Sequence, residues 1–417
     1  MEEIKIRPRK DIYEEIDKLS PDPNNFWQID FLKVWMIALV LMDHSIPHRI
    51  LGLFYSLAWE RIAIPVFMVV LGFNWGKSMM QKKNQSLWEL YSWRGYFKSK
   101  IQRFIVPFAI IYGLSIIYLI LANIFIGPNF LSNVYPNPAD IPILNEPILK
   151  LALILPVWGP GNWFIPMIFL TILIFPLLFK LFTHRKWSSW LMLACCFLIE
   201  AAYQLGINLF YLGFGFDYRI DFFTFTPFML LSAIGLGLWL SINHRWDSPR
   251  NLVIWFLGLA STVHIFYALF RGRPIYAQWV LFDYNLFVYP YSALIVMIVL
   301  NVLPKSPSGP AFRFISTLGK STYHILMTQI FYFSVIYGLL LPFHAPFGTV
   351  HPPYSFNQLG LIHANYFWYY PVNVLITFTI GTLWYSAGKQ LSENRRKLQT
   401  RVSENQLKIM KARGWVN

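Results

Sequence analysis

Four ionisable residues stand inside one apolar run near the start of this chain: Asp30, Lys33, Asp43 and His44. Charged groups at membrane depth are costly and tend to mark a functional path. Lys33 and His44 are eleven positions apart. At about 100° per residue they return to nearly the same helix face, roughly 16 Å apart along the axis. One helix would then hold a cation near one end and an imidazole near the other. Imidazole titrates near neutrality, which suits a general base acting on a weak nucleophile such as an alcohol. A structural histidine hydrogen-bonded between helices is the plainer reading of His44. Lys33 can equally pair with Asp30 at i,i+3. Asp43 points about 100° away from its neighbour His44, so it either orients the imidazole or reaches another helix. His44 and His48 have the i,i+4 spacing of a metal pair, but Pro47 interrupts the turn and no carboxylate partner is evident. No metal is expected.

The elements that must position these groups can be read from composition. The chain has 417 residues, 56% hydrophobic, 18% aromatic and only 13% charged, with a mean hydropathy of +0.45. A soluble protein of this length could not hide so much apolar surface, so the expected class is an all-α, polytopic membrane protein in the lipid bilayer. The formal charge of +15 would suggest nucleic acid for a soluble chain. Here basic residues flanking membrane spans account for it, and no nucleic-acid partner is expected. Cys195 and Cys196 are adjacent in an apolar run; neighbours on a helix do not meet disulfide geometry, and both are expected to pack. Residues 1–25 hold no apolar run, so the first span is expected to act as an uncleaved start-transfer segment.

About ten spans are expected, at 29–50, 57–80, 104–126, 161–182, 187–206, 220–241, 251–270, 284–303, 319–341 and 365–386. They define a membrane unit over 29–386 between a cytoplasmic segment, 1–28, and a basic tail, 387–417. With the N-terminus inside, only Arg49, Arg61, Lys150, Arg219, Arg271 and Arg273 of the 35 Lys and Arg fall in outside segments. That asymmetry places both termini in the cytoplasm. No fixed-period repeat is visible, which weakly disfavours an inverted-repeat transporter. The Pro- and Asn-rich stretch 127–160 is expected to cap the outer face.

Three local patterns carry a family likeness. Asp30-Phe31-Leu32-Lys33 is followed by ten residues and then His44; Arg61-Ile62-Ala63-Ile64-Pro65-Val66-Phe67 opens the second span; Lys98-Ser99-Lys100-Ile101-Gln102-Arg103 leads into the third. With Asn162-Trp163-Phe164 and Gly319-Lys320-Ser321, the chain resembles the membrane acyltransferase-3 family over roughly residues 26–386. That family usually has Arg where this chain has Lys33. The small-residue-Gly-Phe pattern reads Leu71-Gly72-Phe73 here. The histidine late in the family's ninth-span motif has no counterpart, with Thr328 or Gln329 nearby and His324 a turn earlier.

The resemblance implies a ten-span O-acyltransferase that moves an acyl group, acetyl being the expected one, from acyl-CoA to a hydroxyl of a carbohydrate or lipid-linked glycan. The donor is cytoplasmic and anionic, and Lys98, Lys100 and Arg103 cluster where its phosphates would enter. Lys33 could meet the same phosphates. Such a cluster is also the ordinary mark of a span's inner end. His44 is then the general base or, alternatively, a transient acyl carrier. Arg61 matches a family position, and Glu60, Asn162, Trp163, Glu200 and His264 would line an outer site for the acceptor. Gln204, Asp217, Arg219, Asp221, Asp283 and Asn285 lie at the same expected depth. The location is the cytoplasmic membrane; the oligomeric state is not read from the sequence. Two other readings stay open: a transporter or flippase using the buried charges as a permeation path, and a catalytically silent relative acting as a scaffold.

Overall fold

A computed structural model of the chain describes residues 26–46, 51, 55, 58–59, 62–125, 161–185, 188–214, 226–270, 286–344 and 366–412. Among these residues the fold is all-helical, without a strand. The helices are α1 (Trp27–Ser45), α2 (Ala63–Met80), α3 (Val106–Phe125), α4 (Phe164–Thr183), α5 (Ser188–Phe214), α6 (Leu231–Ile242), α7 (Leu252–Phe270), α8 (Tyr289–Val302), α9 (Pro310–His344) and α10 (Tyr366–Ala412). Each apolar segment expected from the sequence falls on one of them. By length and apolarity, five helical stretches among the described residues suffice to cross a membrane: Ala63–Met80, Lys98–Ala122, Phe164–Thr183, Ser188–Leu209 and Pro249–Phe270. Asp30, Lys33 and Asp43 keep α1 out of that set. α10 runs unbroken across residue 386, where the membrane unit was expected to give way to the basic tail.

Close packing is achieved where side chains vanish. α2 and α6 touch backbone to backbone: a Cβ on Gly72 would collide with the carbonyl of Ile234 and lie 3.1 Å from Gly237 Cα. Small residues at such crossings are how helices associate when lipid removes the hydrophobic drive between them. The site depends more on α1 and α9, which run parallel in register. Trp27 Nε1 donates to Phe312 O at 3.1 Å, Ser316 Oγ donates to Asp30 Oδ2 at 2.8 Å, and the rings of His44 and Phe333 meet at 6.2 Å. α10 packs antiparallel to α9, with Ser321 and Thr382 hydroxyls 3.1 Å apart and Tyr332 OH donating to Asn373 Oδ1 at 2.9 Å. Asn373 Nδ2 then donates to Ser45 Oγ at 2.9 Å, tying α10 to the end of α1. Buried polar side chains in hydrocarbon must find partners, and here those partners fix α9 and α10 against α1.

Candidate active site

The expected axis on α1 borders a cavity. Its empty volume is about 730 Å³, and α1, α2, α4, α9 and the turn before α3 line it. Lys33, Ile37 and Val40 contribute from α1. Their spacing of four and three residues keeps them on one helix face, and His44 is the next residue on it. The lining ends at Val40, about 6 Å of helix rise short of His44.

The two ends of this cavity differ. Lys33, Arg103 and Lys320 gather at one end, from three different elements. Towards the other end the wall is apolar, with Ile37, Val40, Ile64, Phe67, Phe164 and Leu326 among its residues. Arg103 reaches the cavity from an irregular stretch. Two π-helical turns, Trp93–Phe97 and Ile101–Ile105, flank the three residues Lys98–Lys100. Each inserted residue of a π-turn rotates the next stretch of helix about its axis, a distortion that recurs at functional sites. Arg103 and Lys320 have exposed side chains, so this end is open.

Lys33 serves two partners at once. Its Nζ donates to Asp30 Oδ1 at 2.7 Å and to the carbonyl of Gly319 at 3.4 Å while still lining the cavity. Both readings of Lys33 in the sequence are therefore compatible: the pair with Asp30 exists, and it holds the ammonium at the cavity wall. Asp30 is only 3% exposed, and a buried carboxylate requires such partners.

His44 is half-buried, its ring edge-on to Phe333, and its Nδ1 is 3.8 Å from Asp43 Oδ2. Asp43 thus lies beside the imidazole but beyond hydrogen-bond length. Lys100 is not in this cavity. Its ammonium sits 3.6 Å from the Trp75 ring centroid and lines a second, smaller cavity. Lys98 is exposed and lines neither.

The residues expected to form an outer acceptor site are not brought together among the described residues. Asn162 is fully buried at the start of α4, and half-buried Trp163 packs its ring 5.7 Å from Phe164. Glu200 is buried on α5, where it accepts from the backbone N–H and hydroxyl of Ser232 at 2.7 and 2.6 Å and from Gln204 Nε2 at 2.8 Å. A carboxylate on the N–H of Ser232, in the first turn of α6, caps that helix. His264 lies half-buried on α7, its ring 5.3 Å from Phe287. None of these four lines the cavity. Glu60, Arg61, Asp217, Arg219, Asp221, Asp283 and Asn285, and His48 of the weighed metal pair, lie outside the described residues.

Architecture, cationic cavity and α1 motif together invite comparison with known proteins. A family model described as an acyltransferase domain matches residues 26–385. The chain belongs to the acyltransferase-3 family. No curated protein and no solved structure gives a significant match. Membership of this family makes the chain a membrane acyltransferase.

Sequence reasoning missed Lys320, Asn74, Trp75 and Tyr323 as cavity residues. Gly319-Lys320-Ser321 was visible as a motif, but only the α1–α9 register sets Lys320 level with Lys33. Gln329 was visible as the residue near an absent histidine. It proves to be fully buried on α9, and neither polar atom of its amide has a hydrogen-bond partner among the described residues. Its position is one turn past Leu326, which lines the cavity, and one turn before Phe333, which touches His44.

Proposed function

We propose that this protein transfers an acyl group, acetyl in the simplest case, from cytoplasmic acyl-CoA to a carbohydrate hydroxyl reached from the outer side of the cytoplasmic membrane. The bundle would cross the bilayer about ten times with both termini inside. One observation carries the reading: a cavity with three cations at its open end leads along the face of α1 towards His44.

Length supports it as well as charge. The arm between the diphosphate and the thioester of acyl-CoA has about twelve bonds, the length of about four extended residues, or roughly 14 Å. Lys33 and His44 are separated by roughly 16 Å of helix rise. A diphosphate held by Lys33, Arg103 and Lys320 would leave the thioester carbonyl near the imidazole. Guanidinium and ammonium groups suit this task because charge-assisted hydrogen bonds to phosphate are short and strong.

The chemistry then assigns roles. His44 takes the proton of the acceptor hydroxyl as that oxygen attacks the thioester carbonyl. The tetrahedral adduct collapses, the carbon–sulfur bond breaks, and the imidazolium returns its proton to the departing thiolate. Asp43 stabilises the charged ring. Arg61, Glu60, Asn162 and Trp163 stand as candidates for the acceptor side.

Purified protein supplied with radiolabelled acetyl-CoA and glycan acceptors tests the reading. Label in the glycan, dependent on intact thioester, is the expected result. Solute flux across vesicles without any acyl donor, and no label transferred, would favour a transporter instead.

A further inference from the structure

The acyl-CoA reading accounts for one cavity and leaves another unexplained. A second cavity, about 400 Å³ in empty volume, adjoins the first, and among the described residues Trp75 lines both. The two succeed one another along α2. Val70, Leu71 and Asn74 line the first, and Ser78, Met79 and Lys82 at the helix end line the second. The second therefore continues from the cationic end of the first, away from His44.

Its wall is polar and positive. Lys82 and Lys100 both line it, Ser78 adds a hydroxyl, and no carboxylate lines it among the described residues. Lys100 is held by aromatic faces rather than by an acid, 3.6 Å from the Trp75 centroid and 5.4 Å from that of Tyr96. A ring attracts an ammonium through its quadrupole and leaves the net charge in place. The scaffold around it is fixed: Tyr96 OH donates to Ile172 O at 2.9 Å, and Ser99 Oγ donates to Tyr96 O at 2.9 Å. Two cations and the Ser78 hydroxyl around a cavity make a site for a compact, highly charged anion.

We propose that this second cavity binds the 3′-phosphate of the donor's nucleotide end. The inference rests on the acyl-CoA reading. Acyl-CoA has its parts in a fixed linear order: acyl group, pantetheine arm, diphosphate, 3′-phosphorylated adenosine. His44, the apolar wall, the cation group of Lys33, Arg103 and Lys320, and then the Lys82–Lys100 cavity repeat that order along the protein. The two anion sites would thus do different jobs, one common to any diphosphate-linked donor and one selecting the phosphorylated nucleotide.

Binding of CoA and of 3′-dephospho-CoA to the purified full-length protein, measured by titration calorimetry, separates the two sites. Wild type is expected to bind CoA at least tenfold more tightly than dephospho-CoA. Lys82→Gln and Lys100→Met, tested separately, are expected to bring CoA down to the dephospho-CoA level while changing dephospho-CoA binding less than twofold. Arg103→Gln is expected to weaken both ligands alike. Equal wild-type affinity for the two ligands overturns the 3′-phosphate assignment and leaves the donor reading standing. So does an equal loss for both ligands in Lys82→Gln and Lys100→Met. Binding of neither ligand by wild type overturns both.

Discussion

Asp30 and Gly319 are in backbone contact: a Cβ placed on Gly319 would lie about 2.6 Å from both the Cα and the carbonyl oxygen of Asp30. Asp30 Cβ lies at 2.5 Å as well, and none of these atoms can give way without moving α1 itself. This contact sets the register that puts Lys33 and Lys320 on the same cavity wall.

Gly319→Ala should therefore be costly, at about 1–3 kcal/mol or more for an overpacked backbone crossing. Gly113→Ala, on α3 with nothing within 4 Å of the added carbon, should gain up to about 1 kcal/mol of helix propensity. Thermal unfolding in detergent should show a lowered midpoint for the first and an unchanged or raised one for the second. Equal midpoints would remove the crossing from the account.

The Asp30–Lys33 pair predicts a non-additive cycle. Removing one member of a buried pair leaves an uncompensated charge and costs roughly 3–5 kcal/mol. Asp30→Asn and Lys33→Met should each destabilise, and the double variant should recover much of the loss because no lone charge remains. Acyl-CoA binding should not recover in the double variant, since the ammonium at the cavity wall is gone. Recovery of both properties would make Lys33 purely structural.

A pH effect on stability is expected from the loop after α6. His244 packs its ring edge-on against Phe26 and Phe73 at 5.5 and 5.8 Å. Burial, then the nearby charges of Lys77 and Lys305, lower its pKa from 6.5 to about 4. As pH falls the unfolded chain takes up this proton first, so stability is full above about 6.5 and declines as pH drops towards 4. The thermal midpoint should fall across that window, and His244→Gln should flatten the fall. An unaltered slope in the variant would assign the effect elsewhere.

How far the sequence could be read depended on the physics each feature used. Helices were legible because apolar length alone specifies them, and α1 was legible because ionisable residues in such a run are rare. Lys33 and Arg103 were found as charges near one end of the bundle. Their meeting with Lys320 was not, since the register of α1 on α9 is set by Gly319 and Asp30, 289 positions apart in the chain. Glu200 and His264 looked alike in sequence, both polar groups at one expected depth. Only tertiary partners separate them: Glu200 is consumed in capping α6, whereas His264 rests against Phe287. Lys100 was identified as a donor-side cation, but the π-turn Ile101–Ile105 that carries Arg103 away from it leaves no mark in the apolar periodicity.

Gln329 offers a separation of stability from function. A fully buried amide without hydrogen-bond partners among the described residues is a cost to the fold, so Gln329→Leu should leave the thermal midpoint unchanged or raise it. Acyl transfer should fall at least tenfold if the amide holds a polar group of the substrate between Leu326 and Phe333. Unchanged transfer would reduce Gln329 to a packing residue.

The central claim is that His44 acts as the base at the end of a donor channel. Acetyl transfer and CoA binding should be measured together for wild type and His44→Gln. A positioned general base contributes about 10²–10⁴-fold in rate, so transfer should drop by at least about 100-fold while CoA affinity stays within about threefold. Transfer at the wild-type rate by His44→Gln would contradict the account.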